Sequence, residues 1–587
     1  MKRNPLFLKA YAIALLLLTF YLSSAQVSEL SDPKVSTAAI NTKTPLSTLA
    51  FIDTEFSLSK YIPPTKAQIQ QTWEAKGWKN ETVHTQLAFT PNVNTNTEGS
   101  VQLSVTPLRS GKNQISTEHI EFNPITFVMT DHPGDLKRGC GIKEVLDSLL
   151  VADRIETTTS FPHLAGETRP LWLSVHIPKN AVAGKYNGDV IVEYRSGKTK
   201  QIYKLPYTVT VSEHILPNPK DWHFHLDLWQ NPYSSARYYN FKPLSDEHLA
   251  AIKPHYERLA NAGQKTITTT LIYDPWNSQT YDVYDSMVKW VKTKDGSWKF
   301  DYTDFDKWVR YMHDLGIQKF INCYSMIPWN LSFYYYDEAS AKMEVLKATP
   351  GTPEYEEHWL PFLKDFAQHL KKNGWFGKTT IAMDERPMEA MLAAIKVIKK
   401  ADKDFNISLA GTYHDELALE LVDYCITLHE DMPDNILEQR KAKGYTTTMY
   451  TCCSEIFPNT FTNSGYSEAV WLGWNTIERN FDGYLRWAYD CWNMNPNQDT
   501  RFGKWLGGDT YLVYPNNASS IRFERLREGI QDAEKVRVIR EKLVAANRTE
   551  ELNKLNQAIQ TFGNKNIKRE SIPDHVKSAK KLLNSLR

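Results

Sequence analysis

Cysteine is scarce in this chain: six residues in 587, at 140, 323, 425, 452, 453 and 491. That number and scatter exclude the dense disulfide framework of a small secreted domain. No Cys-x-x-Cys spacing occurs, so a structural zinc site has no ligand pattern and no metal is expected. One bridge remains open to the chain in an oxidising compartment, and the adjacent Cys452-Cys453 reads as structural. Charge of one sign is also missing, with 69 Lys+Arg against 68 Asp+Glu. A nucleic-acid binder would show a basic stripe, and none is present. No Gly-x-Gly-x-x-Gly opens any unit of the chain, and no cofactor is expected. Beyond the N-terminus, no segment is long and apolar enough to span a membrane.

The N-terminus itself is distinctive. Lys2, Arg3 and Lys9 precede an apolar run from Ala10 to Leu22, and Ser23-Ser24-Ala25 supplies small residues before Gln26. This order predicts a secretory signal peptide over residues 1–25, with export to the periplasm or the outside. A membrane anchor is the competing reading, but the run falls short of the ~18–20 apolar residues a span requires. Removing the leader takes away three positive charges, leaving 66 Lys+Arg against 68 Asp+Glu, a net of −2. Aromatic residues are plentiful: 17 Trp, 30 Tyr and 24 Phe. Core packing accounts for most of them, and a sugar-binding groove would use the rest.

The rhythm of the sequence changes near residue 216. Before it, segments such as 102–105, 171–177, 188–194 and 207–211 alternate apolar and polar residues, bounded by Pro, Gly, Asn and Ser. That pattern predicts antiparallel strands and a β-sandwich over residues 26–215. Pro178–Asn180 and Ala183–Gly188 read as two of its turns, residues 26–50 as a loose lead-in, and Pro217-Asn218-Pro219 as a linker.

After it, short apolar runs alternate with helical stretches. Eight strand candidates follow in order: 223–228, 266–272, 319–323, 379–383, 407–410, 424–428, 446–450 and 483–487. Helices are expected at 249–262, 304–315 and 388–400, the first two ending at Gly263 and Gly316. Eight such units over residues 216–587 predict a TIM-like (β/α)8 barrel, and the chain as a whole reads as α/β plus all-β. An open doubly wound sheet is the alternative. A strand at 510–514 and amphipathic helices from 519 onward complete the expected tail.

In such a barrel the chemistry gathers at the C-terminal ends of the strands. The fourth candidate ends in Asp384-Glu385. Two carboxylates delivered by an apolar strand are costly unless they are used, although the same pair could merely cap the following helix. The other strand ends carry aromatics with Asp, Asn and His: Asp227 and Trp229, Tyr324, Tyr413 and His414, Tyr450, and Trp487 with Tyr489 and Trp492. Such a lining suits a pyranose, which offers C–H faces for stacking and hydroxyls for hydrogen bonds. Neighbouring carboxylates cannot easily straddle a scissile glycosidic bond at the separations the two ordinary mechanisms need. A substrate whose 2-acetamido group attacks its own anomeric carbon removes that difficulty. One carboxylate then orients the acetamido group and the other handles the proton.

With these residues the sequence resembles glycoside hydrolase family 123, the retaining β-N-acetylgalactosaminidases. The likeness rests on Asp384-Glu385 after an apolar strand, on Phe224–Tyr233, on Trp487-Ala488-Tyr489 with Trp492, and on Gly508–Pro515 followed by Arg522, Glu524, Leu526, Arg527, Gly529 and Asp532. It spans about residues 40–545. It implies Glu385 as general acid/base, Asp384 as the acetamido-orienting residue, and activity on terminal β-linked N-acetylgalactosamine, as in glycosphingolipid glycans. Three alternatives stay open: a preference for the gluco epimer, a distant nucleophile such as Asp227 or Asp274, and a non-catalytic glycan-binding protein on the same scaffold.

Overall fold

The structure, a computed structural model of the chain, describes residues 28–34, 48–91, 98–142, 144–164, 166–565 and 567–586. The expected leader at 1–25 and most of the lead-in at 26–50 lie outside the described residues.

The N-terminal part is a sandwich of two sheets. One runs, in spatial order, 69–70, 48–52, 82–90, 169–176, 120–131 and 148–155, and is completed by Ser519–Ser520 from far along the chain. The other runs 160–164, 98–105, 184–196, 199–215 and 73–79, the last strand parallel to its neighbour. Inward side chains of both sheets, among them Phe89, Val101, Phe122, Leu173, Val192 and Val209, form one apolar core. The longest pairing joins Gly184–Ser196 to Thr199–Ile215 through the two-residue loop Gly197-Lys198, where Gly197 takes a positive φ of 57°. Pro178–Asn180 forms the expected turn, with Ala181 N–H donating to the Pro178 carbonyl at 3.0 Å. The second expected turn is a strand instead. Gly184–Gly188 pair in register with Val211–Tyr207, and Gly188 leaves room for Leu108. The glycines there serve close packing rather than a reversal.

The eight expected barrel strands all form, at His225–Leu228, Thr266–Thr270, Phe320–Tyr324, Thr379–Met383, Asn406–Ala410, Asp423–Thr427, Thr446–Tyr450 and Gly483–Arg486. From the second to the eighth, each pairs in parallel with the next, and the eighth pairs with the first. The first and second are joined more lightly. Lys265 N–H donates to the Leu226 carbonyl at 2.9 Å, and the Gln264 side chain accepts from Leu228 N–H at 2.9 Å. The result is a nearly closed barrel, which excludes the open sheet.

The helical ring departs from the simplest pattern in three places. Residues 411–422, between the fifth and sixth strands, make turns and no helix. Four extra strands, Lys289–Lys292, Trp298–Asp301, Ser332–Asp337 and Lys342–Lys347, form a small sheet from the loops after the second and third barrel strands. The expected strand at 510–514 is a looped segment; the pairing is made by Ser519–Ser520 against Arg154 and Ile155.

The helix that follows, Ile521–Ala545, is not amphipathic as expected but buried around most of its circumference. It lies between the barrel helix Tyr466–Glu478 and the sandwich. Gly529 packs against Val470 and Gly473, so close that a Cβ on Gly473 would stand about 2.5 Å from the Gly529 backbone. Its charged residues are matched by the sandwich: Arg522 to Asp153 at 3.0 Å, Glu528 to His84 at 2.6 Å, Lys535 to Glu81 at 3.0 Å, and Arg525 to Glu55. Buried charges are tolerated where they are paired in this way.

Candidate active site

The fourth barrel strand, Thr379–Met383, is buried along its length and ends by delivering Asp384 and Glu385 to the barrel mouth. There a cavity of about 290 Å³ opens. Trp229, Trp276, Trp329 and Asp384 line it with Tyr450, Leu485 and Trp487, while Arg138, Cys140, Cys453 and Trp505 contribute from other segments. The volume suits a ligand of about one sugar ring, and the lining combines flat indoles with a few polar groups.

The two carboxylates occupy different surroundings. Asp384 is buried, and its Oδ2 accepts a hydrogen bond from Trp329 Nε1 at 3.0 Å. Burial pushes its pKa up to about 6, against the opposing pull of the Trp329 N–H and the Arg386 guanidinium. Arg386 lies over the Trp329 ring, 4.8 Å from its centroid. The other oxygen, Asp384 Oδ1, has no partner among the described residues, and neither have the buried indole nitrogens of Trp229 and Trp276. Trp276 is near enough to Asp384 to favour its ionised form slightly, without a well-formed bond. Unmet polar atoms at a cavity floor are places for ligand groups. Glu385, by contrast, is exposed at the rim, where the Tyr450 hydroxyl donates to its Oε1. Burial and the adjacent Glu385 raise the Tyr450 pKa, so its hydroxyl stays a donor.

Of the residues the sequence singled out, the structure brings Asp384, Glu385, Trp229, Tyr450 and Trp487 together around the cavity. Tyr324 stands behind them, its ring 4.5 Å from Trp229 and 5.2 Å from Trp276. Asp227 lies deeper in the barrel. Burial and Asp423 push its pKa well above the carboxylate range, against the pull of nearby Trp229 and Gln264, neither of which makes a well-formed bond to its oxygens. Tyr413 and His414 are held elsewhere: Tyr413 N–H donates to Glu430 at 3.0 Å, and His414 N–H to the Tyr424 hydroxyl at 2.7 Å. Tyr489 and Trp492 belong to the outer packing, contrary to expectation. Tyr489 donates to the His255 carbonyl at 3.0 Å, and Trp492 Nε1 to the Val513 carbonyl at 2.8 Å. The eighth strand ends at Arg486, so strand geometry no longer sets the direction of these two side chains.

Among the cavity-lining residues outside the expected set are Trp276, Trp329, Trp505 and Arg138. The first two sit in the aromatic strand-end segments. Arg138 had no local signal, because it comes from the sandwich loop between Asp131 and Ser148. That loop is fixed over the mouth by a Cys140–Cys453 disulfide and by Gly139 N–H donating to the Cys453 carbonyl at 2.6 Å. Cys452 stays a free thiol beside it. Asp274, one of the alternative nucleophiles, is committed to its own turn, accepting from Ser278 N–H at 2.7 Å and from the Ser278 hydroxyl at 2.9 Å.

A (β/α)8 barrel with adjacent carboxylates at its fourth strand, set in an indole-lined, sugar-sized cavity, has the features of a glycoside hydrolase. The comparisons with known proteins make the assignment narrower. The catalytic-domain model of glycoside hydrolase 123 matches residues 229–539, and the N-terminal-domain model of the same family matches residues 51–194. The chain belongs to glycoside hydrolase family 123.

Among solved structures, it is similar to a family 123 glycoside hydrolase from Clostridium perfringens whose structure was used to analyse glycolipid glycan hydrolysis. The TM-score is 0.82 at 26% identity, over 92% of this chain and 98% of that one. Two β-glucuronidases, from Bacteroides uniformis and Parabacteroides merdae, align over 78% of this chain and about half of theirs, at 9% and 8% identity. With TM-scores of 0.28, neither bears on fold or function. No curated protein matches the chain.

Proposed function

We propose that this glycoside hydrolase is a retaining, exo-acting β-N-acetylgalactosaminidase that works by substrate assistance. The observation that carries the reading is the lining of the cavity. Among the described residues it contains no carboxylate besides Asp384 and Glu385, and these are chain neighbours. The ordinary mechanisms place two carboxyl groups on opposite sides of the scissile bond, and here no second side is supplied. Asp227 is buried beneath the floor and Asp274 is held in its turn, so neither supports the distant-nucleophile alternative.

In the proposed reaction the acetamido carbonyl oxygen bonds to the anomeric carbon as the glycosidic C–O bond breaks. Glu385 gives its proton to the departing oxygen. Asp384 accepts a hydrogen bond from the acetamido N–H and stabilises the positive charge that develops on the oxazoline intermediate. Glu385 then takes a proton from water, which opens that ring with net retention. The buried, indole-walled position of Asp384 suits a charge-stabilising partner in a low dielectric, and the exposed position of Glu385 suits proton exchange with solvent. The Clostridium perfringens likeness supports glycolipid glycans as the substrate class. The leader-like N-terminus supports export, which sequencing of the mature N-terminus at Gln26 would check.

The deciding experiment compares matched aryl β-GalNAc and β-GlcNAc glycosides, with Glu385→Gln as control and a thiazoline analogue as inhibitor. Faster turnover of the galacto substrate, abolished by the substitution and strongly inhibited by the analogue, is expected. Preference for the gluco substrate would make the protein a β-N-acetylglucosaminidase. Absence of inhibition would count against substrate assistance, and absence of any turnover would favour a binding protein.

A further inference from the structure

The small sheet inserted after the second and third barrel strands has one face buried and one face bare. Pairing sets the faces: Tyr334 stands opposite Val345 and Tyr336 opposite Met343, so these four side chains share a face. They are 38%, 47%, 39% and 61% exposed, in that order. Phe333, Tyr335 and Leu346 point the other way, into the packing around His358 and Trp359. The bare face continues through Val291, in register with Tyr336, to Lys299, and at its other side to Lys347. Lys299 and Lys347 are exposed and form no ion pair with any described residue. Lys289, on the same face, is paired with Asp301 at 3.3 Å.

This face adjoins the cavity. Trp329, shortly before the strand Ser332–Asp337, donates to Asp384 and is itself 40% exposed. Tyr273, which follows the second barrel strand, sets its ring edge-on to Tyr334 at 5.4 Å. Aromatic surface therefore runs from the catalytic carboxylate out to the sheet.

We propose that this face docks on an anionic lipid surface, holding the enzyme where glycolipid head groups can enter the cavity. The inference rests on the glycolipid reading above for its purpose, but not for its geometry. Met343 and Val345 offer aliphatic surface with no group to bond a sugar hydroxyl, so a stacking platform for more sugar rings is the poorer fit. Tyrosine suits the boundary between head groups and acyl chains, and unpaired lysines complement anionic head groups. A soluble protein exposes such a contiguous apolar patch for a partner.

The test uses the full-length protein and phosphatidylcholine vesicles with and without phosphatidylserine. Wild type is expected to co-sediment with the anionic vesicles. Binding should weaken roughly tenfold in Met343→Ser/Val345→Ser, from lost apolar burial. It should weaken about as much in Lys299→Ala/Lys347→Ala, from lost attraction to the surface. Both variants should cleave a soluble aryl glycoside at the wild-type rate and vesicle-embedded glycolipid roughly tenfold more slowly. Wild type that fails to bind anionic vesicles overturns the proposal. Equal losses on the lipid-free oligosaccharide would also overturn it, by making the face a sugar platform. Lysine-dependent vesicle binding by a protein that hydrolyses no β-N-acetylhexosaminide would sustain the docking and sink the catalytic reading instead.

Discussion

Trp329 donates its indole N–H to Asp384 Oδ2 across 3.0 Å, and it is a leading influence opposing the burial that raises that carboxyl's pKa. The bond favours the ionised form. In the proposed reaction Asp384 is ionised to stabilise a developing cation, so kcat/KM is expected to rise with pH through about 6. In Trp329→Phe this limb should move to higher pH, with a loss of about tenfold or more at pH 6. A pH–rate profile measures both. A limb that stays in place would mean another group sets it.

The same burial has a price in stability. Asp384 binds its proton more tightly in the native state, about pKa 6, than in the unfolded chain, near the ordinary 3.8. Between these values the native state holds more protons, so stability falls as pH rises from about 4 to about 6 and stays reduced above. Asp384→Asn removes this cost. It should raise stability by up to about 3 kcal/mol at pH 7.5, and by much less at pH 4, while abolishing activity. Thermal melts at the two pH values give the comparison.

Tyr450→Phe deletes the donor to Glu385 without changing the ring. A hydrogen bond to a charged group contributes about 1.5–3 kcal/mol, so kcat/KM should fall roughly tenfold to a hundredfold. The loss should be largest with poor leaving groups, which depend most on proton donation. Equal losses across leaving groups would instead point to substrate binding.

The Cys140–Cys453 bridge closes a loop of 313 residues. Chain entropy alone would give about 6 kcal/mol, and native-state relaxation reduces the figure. Cys140→Ser should lower Tm and raise KM, because the loop carrying Arg138 is released from the cavity rim. A drop in Tm with KM unchanged would show that the bridge stabilises without shaping the site.

Gly473→Ala forces a methyl group into the Gly529 backbone, where no side chain can move aside. The expected cost is about 2–4 kcal/mol, read from denaturant unfolding. Activity per folded molecule should not change.

How much of this was legible depended on whether neighbours in sequence carry the information. Each barrel strand is a short buried run between segments of another period, so all eight could be read locally. The inserted sheet could not, because Lys342–Lys347 and Lys289–Lys292 look like polar loop until their cross-strand partners are known. The helix Ile521–Ala545 misled for a similar reason: Arg522, Arg525 and Lys535 look solvent-facing, yet their counter-charges Asp153, Glu55 and Glu81 lie in the sandwich. In the site, Asp384 and Glu385 stood out because a single strand end presents both. Tyr489 and Trp492 were misplaced because nearness to a strand end does not fix where a side chain points once pairing has stopped at Arg486. Arg138 was invisible, since only folding brings residue 138 beside residue 453.

The loop that carries Arg138 also bears on how separable the two halves of the enzyme are. A barrel cut out at residue 216 would keep both carboxylates, the indole floor and Tyr450, but it would have an open side where Cys140 and Arg138 now stand. It would also leave Arg522 without Asp153 and Lys535 without Glu81. The sandwich is thus a structural part of the reaction vessel rather than an appendage. The catalytic module in a modular sense is the entire two-domain unit, and a graft, a truncation or a recombination of the family would have to move it whole.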